Sequence, residues 1–243
     1  MTGPSTQRPG RAICGRCALP LPACLCRHVR ATTNRWPVLL LQHPQEAAQA
    51  KGSARLLRLG LAHCRLEVGE QFDEALLAAW LRALAPPHGE GAALLLYPDM
   101  DGSGTSASST SSLVSALPAP TDAPSPTTPA AKVSPGSPAL GATPRTLVLL
   151  DGSWRQARRL LLVNPQLQSL QRWAPPAPPQ SRYLIRKAHR PLQRSTLEAT
   201  CLALGTLEGR TACYAPMLAG FDDWLAAVAA RAASNREPAL TSA

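Results

Sequence analysis

One short stretch near the middle of the chain limits the folds open to it more than any other. Residues 147–150 are all apolar and predict a strand that is buried on both faces of a sheet. Asp151 and Gly152 end this strand, and Ser153 with Gln156 three positions later has the spacing of a helix capping box. Open α/β sheets bind ligands where buried strands end beside helix N-termini. The stretch therefore predicts an α/β fold with a ligand site at Asp151.

The helix that follows brings an aromatic side chain and positive charge to the same place. Trp154 lies in its first turn, and Arg155, Arg158 and Arg159 share one helical stripe because they are three and four residues apart. An acid, a stacking ring and a basic stripe indicate a binding site. A purely structural interpretation is also open, since an Asp before a helix is most often a cap and a Trp most often packs in a core.

The charge of the chain indicates the kind of partner. The 243 residues carry a formal net charge of +10, and arginine supplies nearly all of it, because the only lysines are Lys51, Lys132 and Lys187. Arginine suits bidentate contact with phosphate and stacking on bases. We therefore expect a polyanionic partner, first of all nucleic acid. The alternative is a chain that is simply basic and soluble.

The hydropathy pattern argues against a membrane protein. No apolar run approaches the roughly 18 residues that span a bilayer, and the N-terminus lacks the apolar core of a secretory signal. We therefore expect a cytoplasmic protein without a membrane partner. Cysteines stay reduced in that compartment, so clustered cysteines favour a metal site over disulfides.

Four cysteines near the N-terminus have such a spacing. Cys14 and Cys17 form a CxxC pair, and Cys24 and Cys26 follow in a CxC pair. Four thiolates suit tetrahedral zinc and leave no open position for water, so the predicted metal is structural. His28 is a reserve ligand, or a side chain that faces solvent or phosphate. The alternative is an incidental cluster, because CxC is less diagnostic than a second CxxC.

Other apolar and amphipathic segments predict the rest of the fold. Further strands are predicted at residues 36–42, 64–68, 92–97 and 181–186. Helices are predicted at residues 45–61, 72–84, 164–173, 195–207 and 214–231. The buried stripe predicted for the second helix consists of Leu76, Ala79, Trp80 and Ala83.

Several single residues carry weaker signals. Arg55 and Arg58 lie on one stripe of the predicted helix 45–61 and face either phosphates or solvent. His43 follows a strand, but a lone histidine is more often structural than catalytic. Three further cysteines lack cluster spacing and are predicted to be small buried side chains: Cys64, Cys201 and Cys213.

A change of composition divides the chain. Residues 100–144 are rich in Ser, Thr, Pro, Ala and Gly, lack aromatic residues and have almost no charge, which predicts a disordered insertion. Strands are predicted on both sides of it, so we interpret it as a loop inside one domain. The predicted divisions are a tail with a zinc knuckle at 1–30, a catalytic domain at 31–233 and a loose tail at 234–243.

Five motifs in order resemble one known family. They are Cys14-x-x-Cys17 with Cys24-x-Cys26, Leu95-Leu-Tyr-Pro98, Leu150-Asp-Gly-Ser-Trp-Arg-Gln-Ala157, Ser181-Arg-Tyr-Leu-Ile-Arg186 and Ser195-Thr-Leu-Glu-Ala199. With these motifs the chain resembles the DTW-domain proteins, the bacterial tRNA-uridine aminocarboxypropyltransferases. It departs from the family signature Asp-x-Thr-Trp at Ser153, which keeps the hydroxyl of the threonine. Its insertion is also longer than the family would lead us to expect.

The resemblance implies a fold and a reaction. The fold is a SPOUT-like, largely parallel sheet flanked by helices, with a C-terminal trefoil knot that cradles S-adenosylmethionine. The reaction transfers the 3-amino-3-carboxypropyl group of S-adenosylmethionine to N3 of a uridine, typically in the tRNA variable loop, and releases methylthioadenosine. Two alternatives remain, a zinc-containing RNA-binding module without catalysis and a SPOUT-type RNA methyltransferase.

The resemblance also implies roles for residues. Asp151 would take the proton from N3, and Trp154 would stack on a base or shape the adenine slot. The implied S-adenosylmethionine site comprises Leu96, Tyr97, Pro98, Asp151, Gly152, Ser153, Leu184, Ile185, Arg186, Ser195 and Thr196. The implied tRNA contacts are Arg155, Arg158, Arg159, Arg186, Lys187 and Arg190. Glu198 fits a capping box with Ser195 and needs no catalytic role.

Overall fold

The computed structural model describes residues 12–49, 53–86, 93–97, 143–175 and 195–234. Its strands are β1 Val38–Gln42, β2 Cys64–Val68, β3 Leu94–Leu96, β4 Leu147–Asp151 and β5 Gln171–Trp173. Its helices are α1 Pro44–Ala47, α2 Ala54–Gly60, α3 Glu74–Leu84, α4 Trp154–Val163, α5 Pro165–Gln168, α6 Thr196–Glu208 and α7 Ala215–Ser234. The five strands form one parallel sheet in the order β2-β1-β4-β3-β5. The prediction of an α/β fold with a parallel sheet and flanking helices is confirmed.

The predicted organising strand, β4, lies at the centre of this sheet. Leu147 and Leu149 face a cluster formed with α2, α6 and α7, whereas Val148 faces a second cluster formed with α3, α4 and α5. All three are at most 2% exposed. Each such side chain contributes about 1.5–3 kcal/mol by its burial. The register with β1 places Gln42 directly beside Asp151, where both strands end.

The cysteine-bearing N-terminal segment packs on α2 and α7. Leu25 is fully buried in the same cluster as the side chains of those helices. Gly220 of α7 allows a close approach, since a Cβ atom there would lie 2.2 Å from the carbonyl oxygen of His28. Arg231 near the end of α7 donates a hydrogen bond to the carbonyl of Pro22 at 2.5 Å. Helix α7 therefore stabilises the position of the cysteine-bearing N-terminal segment.

The single helix predicted for residues 45–61 is wrong, because the structure has the two short helices α1 and α2 there. The guanidinium of Arg55 donates to the carbonyls of Ala47 and Gln49, both at 2.7 Å. A continuing helix would use those carbonyls for its own backbone hydrogen bonds. A side chain from the next helix thus replaces the backbone partners, and the first helix ends after one turn.

The buried stripe of α3 is shifted by one residue from the predicted one. Leu77 and Trp80 are buried, and Leu81 and Leu84 are partly buried against the same cluster. Leu76, by contrast, is 48% exposed. The two stripes share Trp80. The other members of the observed stripe are three leucines, whereas those of the predicted stripe are one leucine and two alanines. The larger apolar area decides which face of the helix meets the sheet.

The helix predicted for residues 164–173 is also wrong in its second half. It ends at Gln168, and Gln171–Trp173 forms the edge strand β5. This strand pairs with β3, and the amide of Tyr97 donates to the carbonyl of Trp173 at 3.1 Å. Three residues have little strand signal of their own, so a neighbour in the sheet determines their conformation.

Some predictions fall outside the described residues. These are the strand at 181–186, nearly all of the insertion at 100–144 and the loose tail. The trefoil knot and the divisions between domains stay predictions. The strands on either side of the insertion, β3 and β4, are direct neighbours in the sheet. No helix in the described ranges has the length and apolar character needed to cross a membrane.

Candidate functional site

Asp151 is held in place by side chains from two other elements. It is 3% exposed, at the carboxyl end of the central strand β4. Nε2 of Gln42 donates to its Oδ2 at 2.7 Å, and the hydroxyl of Thr196, the first residue of α6, donates to its Oδ1. The backbone amide of His43 donates to the backbone carbonyl of Asp151 at 3.0 Å. Because both carboxylate oxygens are bound, the carboxylate has a defined orientation.

The predicted cap of the next helix is confirmed. Ser153 accepts a hydrogen bond from the amide of Gln156, whose side chain accepts one from the amide of Ser153 at 2.6 Å. Gln156 also donates to Oε1 of Gln45 at 3.0 Å. Gly152 leaves room for this arrangement, because a Cβ atom there would lie 2.9 Å from Cβ of Gln156. The loop between β4 and α4 is therefore tightly packed.

Beside this loop lies an aromatic pair with a neighbouring guanidinium. Trp154 is 48% exposed, so it is not a core side chain. Its ring meets the ring of buried Tyr97 edge to face, with centroids 6.2 Å apart. The guanidinium of Arg172 lies 5.8 Å from the Tyr97 ring centroid. Tyr97, which follows β3 after Leu96, thus orients an exposed indole that is free to stack on a flat ligand.

The first turn of α6 has the other predicted capping box. The hydroxyl of Ser195 donates to Oε2 of Glu198 at 2.9 Å, and its amide donates to the same oxygen at 3.0 Å. Both residues are buried. The thiol of Cys201 lies one turn further along α6. Burial raises its pKa to about 12, and the Glu198 carboxylate makes a smaller contribution. Glu198 therefore has the structural role that its spacing predicted.

The four N-terminal cysteines converge. The sulfur atoms of Cys14, Cys17, Cys24 and Cys26 all lie within 4.8 Å of one another. The sulfurs of Cys14 and Cys26 are 3.8 Å apart, as are those of Cys17 and Cys24. A tetrahedral zinc ion with bonds of about 2.3 Å requires sulfurs about 3.8 Å apart. Two of the sulfur pairs have this separation, so the predicted ligand set is compatible with a structural zinc site.

The thiols of the cluster differ in their pKa values. Backbone amides of Cys17 and Arg16 lower the pKa of the Cys14 thiol to about 6. Burial raises the pKa of the Cys26 thiol to about 12. A divalent cation favours the thiolate form of every ligand, so binding would release protons. His28 lies next to the cluster, but its Nε2 accepts a hydrogen bond from Arg27 at 2.9 Å.

Comparison with known proteins connects these features. The family profile described as "DTW domain" matches residues 11–228, from just before the cysteine cluster into the last helix. The chain belongs to the DTW-domain family. The family predicted from the five motifs is thereby confirmed.

Two curated proteins are similar to this DTW-domain chain, and both are named tRNA-uridine aminocarboxypropyltransferase 2. The Drosophila melanogaster protein is 29% identical over 218 residues, which cover 86% of this chain and 72% of that protein. The Mus musculus protein is 26% identical over 202 residues, which cover 82% of this chain and 57% of that protein. No solved structure matches the chain significantly.

The basic stripe of this DTW domain is not uniform. Arg155, Arg158 and Arg159 are all exposed on α4. The guanidinium of Arg159, however, forms an ion pair with Glu70, and Nε2 of His43 lies 3.9 Å from the same carboxylate. Arg155 and Arg158 have no such partner among the described residues. The stripe therefore offers unneutralised charge mainly at its N-terminal end.

The structure brings most of the predicted site together at the carboxyl ends of the strands. Leu96 and Tyr97 lie at the end of β3, Asp151 ends β4, and Thr196 of α6 contacts that aspartate. Six predicted residues lie outside the described ranges: Pro98, Leu184, Ile185, Arg186, Lys187 and Arg190.

Sequence reasoning missed Gln42 and Arg172. Gln42 had a usable signal, because it is a polar residue at the last position of a predicted buried strand. Arg172 had none, because it lies in the part of the chain that was predicted as a helix.

Proposed function

We propose that this DTW-domain protein transfers the 3-amino-3-carboxypropyl group of S-adenosylmethionine to N3 of a uridine in the variable loop of tRNA. Methylthioadenosine is the second product. Both similar proteins bear the name of a tRNA-uridine aminocarboxypropyltransferase, which bears out the prediction of an enzyme of this class. The donor, the N3 atom and the variable loop go beyond that name. A tRNA-modifying role also agrees with a cytoplasmic location.

The observation that carries the proposal is the oriented carboxylate of Asp151 at the end of β4, followed three residues later by the exposed ring of Trp154 at the start of α4. Uridine N3 is a poor nucleophile until it loses its proton, and a positioned carboxylate can accept that proton. Gln42 and Thr196 hold Asp151 so that its remaining lone pairs keep one direction. In the same step the new N3–carbon bond forms while the carbon–sulfur bond breaks, and the bonding electrons leave with sulfur.

Transfer of the carboxypropyl group instead of the methyl group is a question of orientation. The sulfonium ion has three electrophilic carbons, and the one held in line with N3 reacts. First-turn amides of α4 and α6, next to Ser153 and Ser195, are suited to bind the carboxylate of S-adenosylmethionine. The indole of Trp154, supported by Tyr97, is suited to a flat base.

The remaining groups have supporting roles. The four cysteines would hold a structural zinc ion, which fixes the N-terminal segment and takes no part in the chemistry. Arg155 and Arg158 would bind tRNA phosphates next to the site. The sequence assigns the same role to Arg186, Lys187 and Arg190.

One incubation distinguishes the possible functions. Purified protein is mixed with S-adenosylmethionine and tRNA, and the nucleoside products are identified by mass spectrometry. We expect methylthioadenosine and a uridine that carries the aminocarboxypropyl group. Adenosylhomocysteine and a methylated nucleoside would identify a methyltransferase instead. RNA binding without either product would leave a binding module.

A further inference from the structure

A second basic region, separate from the basic stripe of α4, lies next to Gln42. A cavity of about 170 Å³ opens where β1 and β2 end, between α2 and the cysteine-bearing N-terminal segment. Its lining includes Gln42, Val68, Arg55, Arg58 and Cys17. A larger cavity of about 330 Å³ continues along β2 and shares Arg58 with the first. Together they form a groove, here called the β2 groove, which runs along the edge strand of the sheet.

The smaller cavity carries positive charge that no carboxylate balances. Arg55 and Arg58 line it, no acidic residue does so, and neither guanidinium has a carboxylate within 4.0 Å among the described residues. In the larger cavity, by contrast, Arg65 is paired with Glu67 at 2.6 Å. The unbalanced charge of the β2 groove is therefore concentrated at the end nearest Asp151.

Arg55 is oriented before any ligand arrives. Two of its nitrogens donate to the carbonyls of Ala47 and Gln49, so the side chain is already fixed in one conformation. Arg58 lies one turn further along α2, is exposed, and approaches the carbonyl of Arg16 at 3.5 Å. A fixed guanidinium loses less conformational entropy on binding, and its planar donors match the oxygens of a phosphodiester.

The groove is connected to the candidate site through one side chain. Gln42 lines the smaller cavity and also donates to Oδ2 of Asp151 at 2.7 Å. A phosphate bound beside Arg55 would thus lie one side chain away from the oriented carboxylate. The basic stripe on α4 begins on the other side of Asp151, immediately after the loop that ends in Ser153.

We propose that Arg55 and Arg58 bind a phosphodiester of the substrate RNA, and that the β2 groove carries the strand toward Asp151. The proposal rests on the proposed function, because it assumes that the anionic partner is RNA. The substrate would then contact the protein on both sides of Asp151, on α2 as well as on α4. A uridine between the two contacts would be presented to the carboxylate.

The test is the salt dependence of tRNA affinity for Arg58→Gln and Arg55→Gln. Each lost phosphate contact should reduce the slope of log affinity against log salt by about 0.7 for single-stranded RNA, or about 0.9 for a duplex. At roughly 0.1 M salt the affinity should fall about fivefold to eightfold per contact. Arg35→Gln is the matched control. This exposed arginine precedes β1 and so lies at the amino ends of the strands, whereas Asp151 lies at the carboxyl ends. We expect it to keep the wild-type slope.

Other outcomes would overturn the proposal. An unchanged slope in both variants, or the same reduction in Arg35→Gln, would remove the groove from the RNA path. Weaker binding of S-adenosylmethionine with an unchanged slope would assign the two arginines to the donor carboxylate. A wild-type protein that binds no RNA would also reject it. Failure of the proposed function is a separate result, since wild-type protein would then bind tRNA without forming methylthioadenosine.

Discussion

Nε2 of Gln42 lies 2.7 Å from Oδ2 of Asp151, across the last register position of β1 and β4. Thr196 binds the other oxygen, so one carboxylate connects two strands and the start of α6. A free carboxylate on a surface loop would rotate, whereas this one keeps its direction. The orientation of the proposed base therefore depends on residues that do no chemistry themselves.

Replacing Gln42 tests that dependence. Gln42→Leu leaves Oδ2 without its donor in a buried position, which costs about 1–3 kcal/mol of stability. It also frees the carboxylate to turn, so we expect kcat to fall by about 10- to 100-fold, as misplaced catalytic groups do. Transfer kinetics and urea unfolding measure the two effects. Gln166→Leu is the control, because Gln166 bonds the carbonyl of Phe72 away from the site. A kcat close to wild type would show that Gln42 only supports the fold.

Asp151→Asn tests the proposed base directly. An amide cannot accept the proton of uridine N3, and a general base contributes about 100-fold or more to the rate. We expect transfer to fall by at least that factor while tRNA affinity changes far less. The fold should be checked by urea unfolding, since the new NH2 group faces a donor. Activity within about threefold of wild type would rule out this role for Asp151.

The zinc prediction can be tested without an assay of activity. Metal analysis of the purified protein should give about one zinc ion per chain, since four thiolates fill one tetrahedral site. Cys14→Ser/Cys17→Ser should lose the metal and lower Tm by roughly 5 °C or more. For a chain of this length, each kcal/mol of lost stability lowers Tm by about 2–4 °C. Cys213→Ser changes a cysteine outside the cluster and should keep the zinc. Folded wild-type protein that purifies without zinc would contradict the prediction.

The docking of α7 on the cysteine segment makes Gly220 sensitive to substitution. In Gly220→Ala the new Cβ would lie 2.2 Å from the backbone oxygen of His28, which cannot rotate away. Overpacking costs about 1–3 kcal/mol, and we expect the upper end here. That exceeds the roughly 1 kcal/mol that alanine gains in a helix. Urea unfolding measures the loss. Gly15→Ala, whose Cβ would meet nothing within 4 Å, should be tolerated.

Local signals were sufficient for the centre of the fold. The run ending at Asp151 predicted a doubly buried strand, and the capping boxes at Ser153 and Ser195 are both present in the structure. Each of these depends on residues within four positions of one another. The cysteine spacing was informative for the same reason, because two short turns bring the thiolates together.

Contacts between distant segments account for what was missed. The ends of β1 and β4 were both predicted correctly, yet the pairing of Gln42 with Asp151 also requires the strand order, which places these two strands side by side. The edge strand β5 exists only through its hydrogen bonds to β3. The phase of α3 was wrong by one residue, because Trp80 belongs to both possible stripes and only packing distinguishes them.

The basic stripe of α4 allows a comparison of three neighbouring arginines. Arg155 and Arg158 are unpaired among the described residues, whereas the charge of Arg159 is balanced by Glu70. Replacing both unpaired residues with glutamine should reduce the salt slope of tRNA binding by roughly 1.4–1.8, or 0.7–0.9 for each phosphate contact. Affinity measured at several salt concentrations gives this slope.

Arg159→Gln by itself leaves the Glu70 carboxylate to repel phosphate, so a loss of affinity in that variant would not show a contact. The informative control is Arg159→Gln/Glu70→Gln, which removes both charges and keeps the net charge of the protein. An exposed ion pair contributes about 0–1 kcal/mol to stability, so the fold should tolerate the change. We expect a slope close to wild type. If this neutral double substitution reduces the slope as much as the loss of Arg155 and Arg158, then Arg159 exchanges Glu70 for a phosphate when tRNA binds, and the whole stripe contacts the RNA.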